Sequence, residues 1–202
     1  MTAGDEKKHP VVVRLARSLA AREALVAERD EPFREAAVSL VLRPRDDDDA
    51  ELLLIRRATR EGDPWSGQIG LPGGNRSMLD RSLDETAVRE TAEELGLDLR
   101  EFGMPLGALD ELRPRIPTLP PIIVRPFAWV VETARLAPLV MSDEVAEYRW
   151  IPLAELFAES TRVQVAVEVR NVRRRVEALQ VGDFTIWGMT ERILSTFERL
   201  IR

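Results

Sequence analysis

The chain has 202 residues, of which 45% are hydrophobic and 32% are charged. This length and balance are typical of one globular domain with additions. The net charge is −6, and an acidic chain without a long basic block is a poor candidate for binding nucleic acid or a membrane surface. The absence of Cys and the single His, His9, exclude disulfides and thiolates and argue against a histidine base or a HExxH zinc site. Acid–base or metal chemistry must therefore rest on carboxylates.

The N-terminal segment MTAGDEKKHP contains no apolar stretch of the kind found in secretory signals. Apolar runs elsewhere fall short of the roughly 20 residues that a membrane helix needs. We therefore expect a cytoplasmic location, with neither a membrane nor a nucleic acid as partner.

Apolar periodicity predicts the elements of the N-terminal half. An amphipathic helix is expected over residues 11–28, with one apolar face formed by Val12, Leu15, Leu19 and Val26. Strands are expected over Ala36–Leu42 and Glu51–Arg56, joined by a hairpin loop. The acids Asp46–Asp49 in this loop could suggest a metal site, but consecutive side chains diverge, which favours a solvated loop.

A dense group of Gly and Pro residues predicts a structured loop over residues 61–75. A helix is expected next, over residues 82–95. Ser82 and Glu85 have the spacing of a capping box, and Gly96 is a natural helix end.

The C-terminal half mixes predicted strands and helices. Residues 102–131 end in a strand, Glu147–Ile151 forms another, and Pro152–Phe157 begins a short helix. Residues 186–201 form an amphipathic helix. A basic run is interpreted as a solvated helix face: Arg170, Arg173, Arg174 and Arg175. The order of elements favours an α/β fold with a mixed sheet and helices on both faces.

The helix over residues 82–95 carries three carboxylates on one face. With Glu90 at zero on a helical wheel, Glu94 lies at about +40° and Glu93 at about −60°. The apolar residues at about 140–200° are Val88, Ala92 and Leu95. Clustered oxygen ligands suit a hard cation such as Mg²⁺ or Mn²⁺. A solvated acidic face is the alternative, and the upstream Gly-Gly turn favours the site because glycine lets the backbone approach a ligand closely.

The segment Gly74–Leu97, GNRSMLDRSLDETAVRETAEELGL, resembles the Nudix box, whose core R-E-x-x-E-E-x-G-L is intact. The acid that precedes this core is Asp80, one residue earlier than in the general pattern. This shift resembles the coenzyme A pyrophosphatase branch of the family. Similarity to that branch continues in the upstream Leu53–Ala58 and in Ile186–Thr190, so it covers about residues 36–201.

The resemblance implies an α/β/α sandwich over residues 36–202, with a tail and helix over residues 1–35 packing on it. It implies metal-dependent hydrolysis of a diphosphate that links a nucleoside to another moiety, most similar to the cleavage of coenzyme A. One alternative is a pyrophosphatase for ADP-ribose, dinucleotides or other nucleotides. Another is a regulator that binds a nucleotide without cleaving it. The N-terminal helix either covers the sheet or mediates a homodimer.

Site residues follow from the same resemblance. Mg²⁺ or Mn²⁺ is expected on Glu90, Glu94, Glu93 and the carbonyl of Gly74. The expected catalytic residues are Glu90, Glu93, Glu94, Arg89 and Glu144. Glu144 is a candidate metal ligand or base, with Asp143 as second choice and a solvated loop acid as the alternative. The candidate substrate-binding residues are Arg56, Arg57, Arg60, Gly73 and Gly74, although the arginines could equally be surface residues. Trp65 either stacks on a base or anchors its loop by burial.

Overall fold

The computed structural model describes residues 6–61, 65–114, 121–169 and 172–202. In these ranges the helices are α1 (Pro10–Ala20), α2 (Leu83–Leu95), α3 (Leu99–Phe102), α4 (Leu153–Leu156) and α5 (Met189–Ile201). The strands are β1 (Arg34–Pro44), β2 (Ala50–Arg57), β3 (Ile69–Gly70), β4 (Gly73–Asn75), β5 (Gly103–Ala108), β6 (Ile122–Val131), β7 (Val145–Pro152), β8 (Arg162–Val169), β9 (Val172–Val181) and β10 (Phe184–Trp187). Short 3₁₀ turns cover Glu6–Lys8, Thr133–Arg135 and Glu159–Thr161.

Seven of the described strands form one mixed sheet. Its order is β3-β2-β1-β6-β5, with β4 also paired to β1 and β7 to β2. β1 and β6 run parallel from the pair Arg34↔Ile122 to the pair Leu42↔Val130, and the other pairs are antiparallel. A second, antiparallel sheet has the order β10-β9-β8. The predicted mixed sheet is confirmed.

Both faces of the large sheet are buried, because neighbouring residues of a strand point to opposite sides. In β2, Leu52 and Leu54 belong to a core shared with α1, α5 and the small sheet. Leu53 and Ile55 belong to a second core, which includes residues of α2. Helices therefore cover both faces, as predicted for a sandwich, and a strand buried on both sides needs the continuous apolar run seen in β2.

The N-terminal helix is present but shorter than predicted. α1 ends at Ala20, and Val26, assigned to its apolar face, is 63% exposed. The segment after the helix is bound by two acids: Glu111 accepts a hydrogen bond from the Ala27 N–H at 2.9 Å, and Asp110 binds the same segment. Such side chain–backbone bonds compete with helical ones, so apolar spacing alone overestimates the helix length.

The interpretation of the basic run as a helix face is wrong for Arg173, Arg174 and Arg175, which lie in β9. Arg170 lies outside the described residues. β9 pairs with β8, where Val163, Val165 and Val167 alternate with other residues. This period of two is the signal of a strand, and it was available in the sequence.

Within the described ranges, every helix is too short or too polar to cross a membrane.

Candidate active site

α2 spans nearly the predicted residues and ends at Gly96, whose φ of 64° is the left-handed conformation that glycine favours. The predicted capping box is wrong. Ser82 occupies the N-cap, but its side chain makes no capping hydrogen bond within the described structure. The Glu85 carboxylate instead accepts a hydrogen bond from the Arg81 N–H at 2.9 Å.

The buried face of α2 contains the predicted Val88 and Leu95 but differs from the prediction at other positions. Thr91 is fully buried; its hydroxyl donates to the carbonyl of Ala87 at 2.7 Å, and its oxygen lies 2.9 Å from Ser39 Oγ on β1. Glu94 is also buried, at 3% exposure, whereas Ala92 is only half-buried. The buried side of the helix therefore also carries the polar residues Thr91 and Glu94, which is tolerated because neighbouring groups satisfy their hydrogen bonds.

Gly73 and Gly74 allow β4 to lie between β1 and α2. A Cβ atom on Gly73 would lie 2.3 Å from the Ala37 carbonyl oxygen, and its φ of 148° is disfavoured for other residues. A Cβ atom on Gly74 would lie 2.4 Å from a carboxylate oxygen of Glu90. The glycine pair therefore brings the peptide backbone against the first carboxylate of the predicted cluster.

Glu94 is held on the same backbone. The Gly73 N–H donates to Glu94 Oε2 at 2.9 Å. Burial raises the pKa of Glu94 to about 7, and the charges of Glu90 and Glu144 act in the same direction, against the Gly73 hydrogen bond and the positive charge of Arg57. Burial also raises the pKa of Glu90, and the adjacent Arg89 opposes that shift. At both carboxylates, therefore, the nearby positive charge does not offset the cost of burying a negative charge.

Arg89 connects the helix to the loop before it. Its Nε and Nη2 atoms donate to the two Asp80 oxygens at 3.0 Å each, and Nη1 lies 2.9 Å from carboxylate oxygens of Glu90 and Glu93. The Arg89 guanidinium holds the pKa of the Asp80 carboxyl well below its usual range. The shifted acid of the box thus orients Arg89. The sequence motif contains this acid without indicating its role, and the structure pairs it with Arg89.

Glu144 is brought to the site by the loop before β7. The Ser142 N–H donates to the Glu94 carbonyl, and the Ala58 N–H donates to the Glu144 carbonyl. Arg60 Nη1 lies 3.1 Å from Glu144 Oε1, and Arg60 Nη2 lies 3.4 Å from Asp143 Oδ2. The loop is therefore fixed to the end of α2, and Arg60 is occupied by its acids.

These parts enclose a cleft of about 370 Å³, lined by Arg57, Gly73, Gly74, Asn75, Glu90, Glu93, Glu94, Ser142, Asp143 and Glu144. The structure thus brings together most of the residues assigned to the site. Asn75 and Ser142 were missed, because their contribution depends on where their loops lie and no motif marks them. Arg89 and Arg60 contact carboxylates of the cleft but are not among the residues that line it.

Arg56 and Trp65 are not among the residues that line the cleft. Arg56 pairs with Glu147 at 3.2 Å and Asp183 at 2.6 Å, and its guanidinium lies 4.7 Å from the centre of the Phe184 ring. Neighbouring residues of a strand point to opposite sides, so Arg57 faces the cleft while Arg56 joins an ion-pair network at β7.

The donor set suits a hard divalent cation, since carboxylate oxygens and the backbone of Gly74 meet at one cleft. In the described part of the chain, however, no three acidic side chains converge into a metal-binding group as they stand. Glu90 and Glu93 contact Arg89, and Glu94 accepts from Gly73. The raised pKa values of Glu90 and Glu94 show carboxylates that added positive charge would stabilise.

The NUDIX domain family matches residues 33–171 of the chain. An uncharacterized protein of Schizosaccharomyces pombe is 40% identical over 122 residues, which are 56% of this chain and 36% of the yeast protein. The uncharacterized Nudix hydrolase NudL of Pectobacterium atrosepticum is 31% identical over 143 residues, which are 70% of this chain and 71% of NudL. Of solved structures, a MutT/nudix family protein from Enterococcus faecalis has a TM-score of 0.57 and 19% identity, covering 100% of this chain and 75% of that protein.

The fold and the match define the class: the chain belongs to the Nudix family, the family of the Nudix hydrolases. The predicted family is confirmed, and the structural likeness supports the predicted fold. The chain spans about a third of the length of the yeast relative. The boundary predicted at residue 36 stays a prediction.

Proposed function

We propose that this chain hydrolyses the diphosphate bond of a nucleotide linked to another moiety, in the presence of Mg²⁺ or Mn²⁺. The observation that supports this proposal is the cleft in which Glu90, Glu93, Glu94 and Glu144 face the backbone of Gly73 and Gly74. A purely nucleotide-binding regulator has no need for four carboxylates beside a phosphate. Their mutual repulsion is understandable if a cation is part of the working site.

A divalent cation bound there supplies charge neutralisation for the phosphates and a water of lowered pKa. Glu90 and Glu94, with Glu93 and the Gly74 carbonyl, are the groups that would hold it. The Gly73 N–H keeps Glu94 oriented, and Arg89 keeps Glu90 and Glu93 on one side of the helix. The contribution of the chain to cation binding is therefore to hold these carboxylate and carbonyl oxygens in fixed positions.

Two further groups have roles in this proposal. Glu144 is in the cleft but outside the Arg89 network, so we assign it the task of accepting a proton from the attacking water. Arg57 lines the same cleft and offers a guanidinium to phosphate oxygens. Arg60 can do the same only by leaving Glu144 and Asp143, its present partners.

We propose coenzyme A or a derivative as the substrate, cleaved to 3′,5′-ADP and 4′-phosphopantetheine. The support is the resemblance of the upstream element and the box to the coenzyme A branch. ADP-ribose and dinucleotides are the competing substrates. Arg56 belongs to the upstream element but pairs with Glu147 and Asp183 outside the cleft, so recognition by that element would depend on Arg57.

The test is turnover of the purified chain with Mg²⁺ or Mn²⁺ against coenzyme A, ADP-ribose, NADH, dinucleoside polyphosphates and dNTPs. Mass analysis of products formed in ¹⁸O-water identifies the substrate and the attacked phosphorus. We expect Glu93→Gln and Glu94→Gln each to lower turnover by at least about 100-fold. Glu101→Gln, an exposed acid on α3, is the matched control. Unchanged turnover in both cleft variants would refute the proposal.

A further inference from the structure

Strand β8 has an unprotected edge. It pairs with β9 on one side, and among the described strands none pairs with its other side. Its register with β9 runs without a bulge from Arg162 to Val169, and its sequence RVQVAVEV contains no Pro or Lys. β5, at the edge of the large sheet, contains Pro105 and an irregular register. Natural edge strands usually carry such protection against pairing with another chain. In β8 the sequence places charged residues only near the two ends of the strand, Arg162 and Glu168, and none in its middle.

An apolar stripe reaches this unprotected edge. Val163, Val165 and Val167 of β8 share a face with Val176 of β9, and all four are half-buried. None of the four belongs to either core of the described structure. The stripe therefore continues to the strand edge without a neighbour from the body of the molecule.

The β8–β9 hairpin also has opposite charges at its two ends. Arg173, Arg174 and Arg175, near the turn, are exposed and make no ion pair with the described residues. At the base of the hairpin, the Glu159 side chain is 93% exposed and lies 3.7 Å from Arg162, which also pairs with Glu198 at 2.7 Å. Glu155 is exposed as well. If a second copy of the hairpin lay antiparallel beside the first, the basic tip of each copy would lie near the acidic base of the other.

We propose that β8 pairs with β8 of a second copy of this chain, antiparallel about a two-fold axis at Val165. Directly opposed residues of an antiparallel pair have their side chains on the same face of the sheet, and side chains alternate between faces along a strand. The two-fold axis must therefore lie between one residue and the same residue of the second copy. An axis at Val165 places Val163 opposite Val167 and continues the stripe across the interface. The occupant of the edge is thus self-complementary, as a two-fold interface requires.

The interface is small. Seven residues pair in each copy, from Arg162 to the position of Glu168, which buries less than the roughly 1,200–2,000 Å² of a typical stable interface. We therefore expect a dimer that forms at concentrations on the order of 10 μM and dissociates on dilution. The two cores and the cleft stay within each copy, so the pairing does not depend on the proposed hydrolase activity.

The first test is sedimentation of the full chain over a concentration series. We expect the mass to rise from 22.8 kDa toward twice that value, and Val165→Lys to remain a monomer because two lysines would face each other at the axis. Gln164→Lys adds the same charge one residue away, where Ala166 would oppose it, and should still dimerise. Native circular dichroism and turnover in both variants show that the fold is intact. A wild-type chain that stays monomeric at about 100 μM, or a Val165→Lys variant that dimerises normally, would overturn the proposal.

The second test uses the absence of cysteine from the sequence. A single Val165→Cys should form an intermolecular disulfide under copper–phenanthroline, which accepts the two electrons, because Cβ atoms of directly opposed residues lie about 4.5–5.5 Å apart. Val163→Cys is the control, since two such residues would be four positions apart along the strands. The Val163→Cys/Val167→Cys variant should cross-link again. Equal cross-linking of the two single variants would contradict the axis and the proposal.

Discussion

At the scale of single residues, the site is a set of carboxylates with too few positively charged groups nearby to balance their negative charge. Glu94 is the most buried of them, at 3% exposure, and its partner is a backbone N–H rather than a guanidinium. Glu90 is also partly buried but contacts Arg89 at 2.9 Å. The metal-free protein therefore loses stability when Glu94 ionises.

This destabilisation predicts a pH-dependent effect of Glu94→Gln in the presence of a chelator. The pKa of Glu94 is raised from 4.5 to about 7 in the folded state, so its ionisation disfavours folding. The loss is absent below pH 4.5, grows until about pH 7 and is constant above it. We expect the variant and the wild type to be equally stable at pH 4, and the variant to be more stable by about 3 kcal/mol at pH 8.

Urea unfolding at several pH values measures this difference. Glu101→Gln, at an exposed site, should show no such trend. A Glu94→Gln effect that is equal at pH 4 and pH 8 would mean that the carboxylate is not ionised in a buried environment.

Asp80 has the opposite behaviour, because Arg89 favours its charged form. Asp80→Asn breaks a buried pair that also accepts from the Ser77 N–H and from Thr86 Oγ1. We expect a loss of about 3 kcal/mol at pH 7. The contribution of the wild-type carboxylate is fully present above pH 3.8 and is lost as the pH falls toward its lowered pKa, so the two proteins should converge in acid.

Denaturant unfolding at pH 7 and below pH 3 tests the Asp80 prediction. Asp84→Asn, an exposed acid of the first turn of α2, is the control and should change stability by only a few tenths of a kcal/mol. Equal stability of Asp80→Asn and wild type at pH 7 would show that Arg89 needs no partner there.

At the scale of elements, the strand β4 connects the sheet to α2. Gly73 faces Ala37 and Val38 of β1, and Gly74 faces Glu90 of α2. The first contact is with backbone, which cannot move cheaply, and the second is with the end of a flexible side chain. The two glycines therefore have different tasks, one in the fold and one in the site.

Alanine substitutions separate these tasks. Gly73→Ala should lose at least about 3 kcal/mol of stability or fail to fold, since its Cβ would lie 2.3 Å from the Ala37 carbonyl at a φ of 148°. Gly74→Ala should fold but lose turnover, because Glu90 must move. Gly70→Ala is the control, with its nearest neighbour 4.0 Å away at Thr190. Melting temperature and turnover measure the two effects, and a Gly73→Ala variant as stable as the control would contradict the packing described.

At the scale of the whole molecule, the N-terminal segment is attached to the domain by polar contacts as well as by the apolar face of α1. The Glu111 side chain is fully buried, pairs with Arg29 at 2.9 Å and accepts from the Ala27 N–H. The Glu111 N–H in turn donates to the Leu25 carbonyl. Together with Asp110, which accepts from the Leu25 N–H, this carboxylate thus fixes several residues that have no regular structure.

Removal of that carboxylate should release the segment. Glu111→Ala removes the ion-pair partner of Arg29 and the acceptor of the Ala27 N–H, so we expect a loss of about 3 kcal/mol and trypsin cleavage after Arg29 at least about tenfold faster than in wild type. Mass spectrometry of timed digests measures the cleavage. Glu101→Ala serves as the control, and an unchanged digestion pattern for Glu111→Ala would show that other contacts hold the segment.

How well the sequence predicts each element depends on how far apart in the chain the residues that fix the element lie. α2 was located within a residue or two because its periodicity, its end at Gly96 and its carboxylates are local features. The length of α1 was overestimated because Asp110 and Glu111, far along the chain, bind the backbone beyond Ala20. The β8–β9 hairpin was missed although its alternation was readable, because the neighbouring arginines were interpreted as a helix face.

The amino-acid sequence by itself determined the family, the order of most elements and the three glutamates of α2, because each depends on residues close together in the chain. Only the tertiary structure decided that Thr91 and Glu94 of α2 are buried, that Arg57 rather than Arg56 lines the cleft, and that Glu144 joins the site. These facts depend on how β2, β4 and the loop before β7 are placed against α2. That placement arises from contacts between residues distant in sequence, for which no local pattern of residues provides a signal.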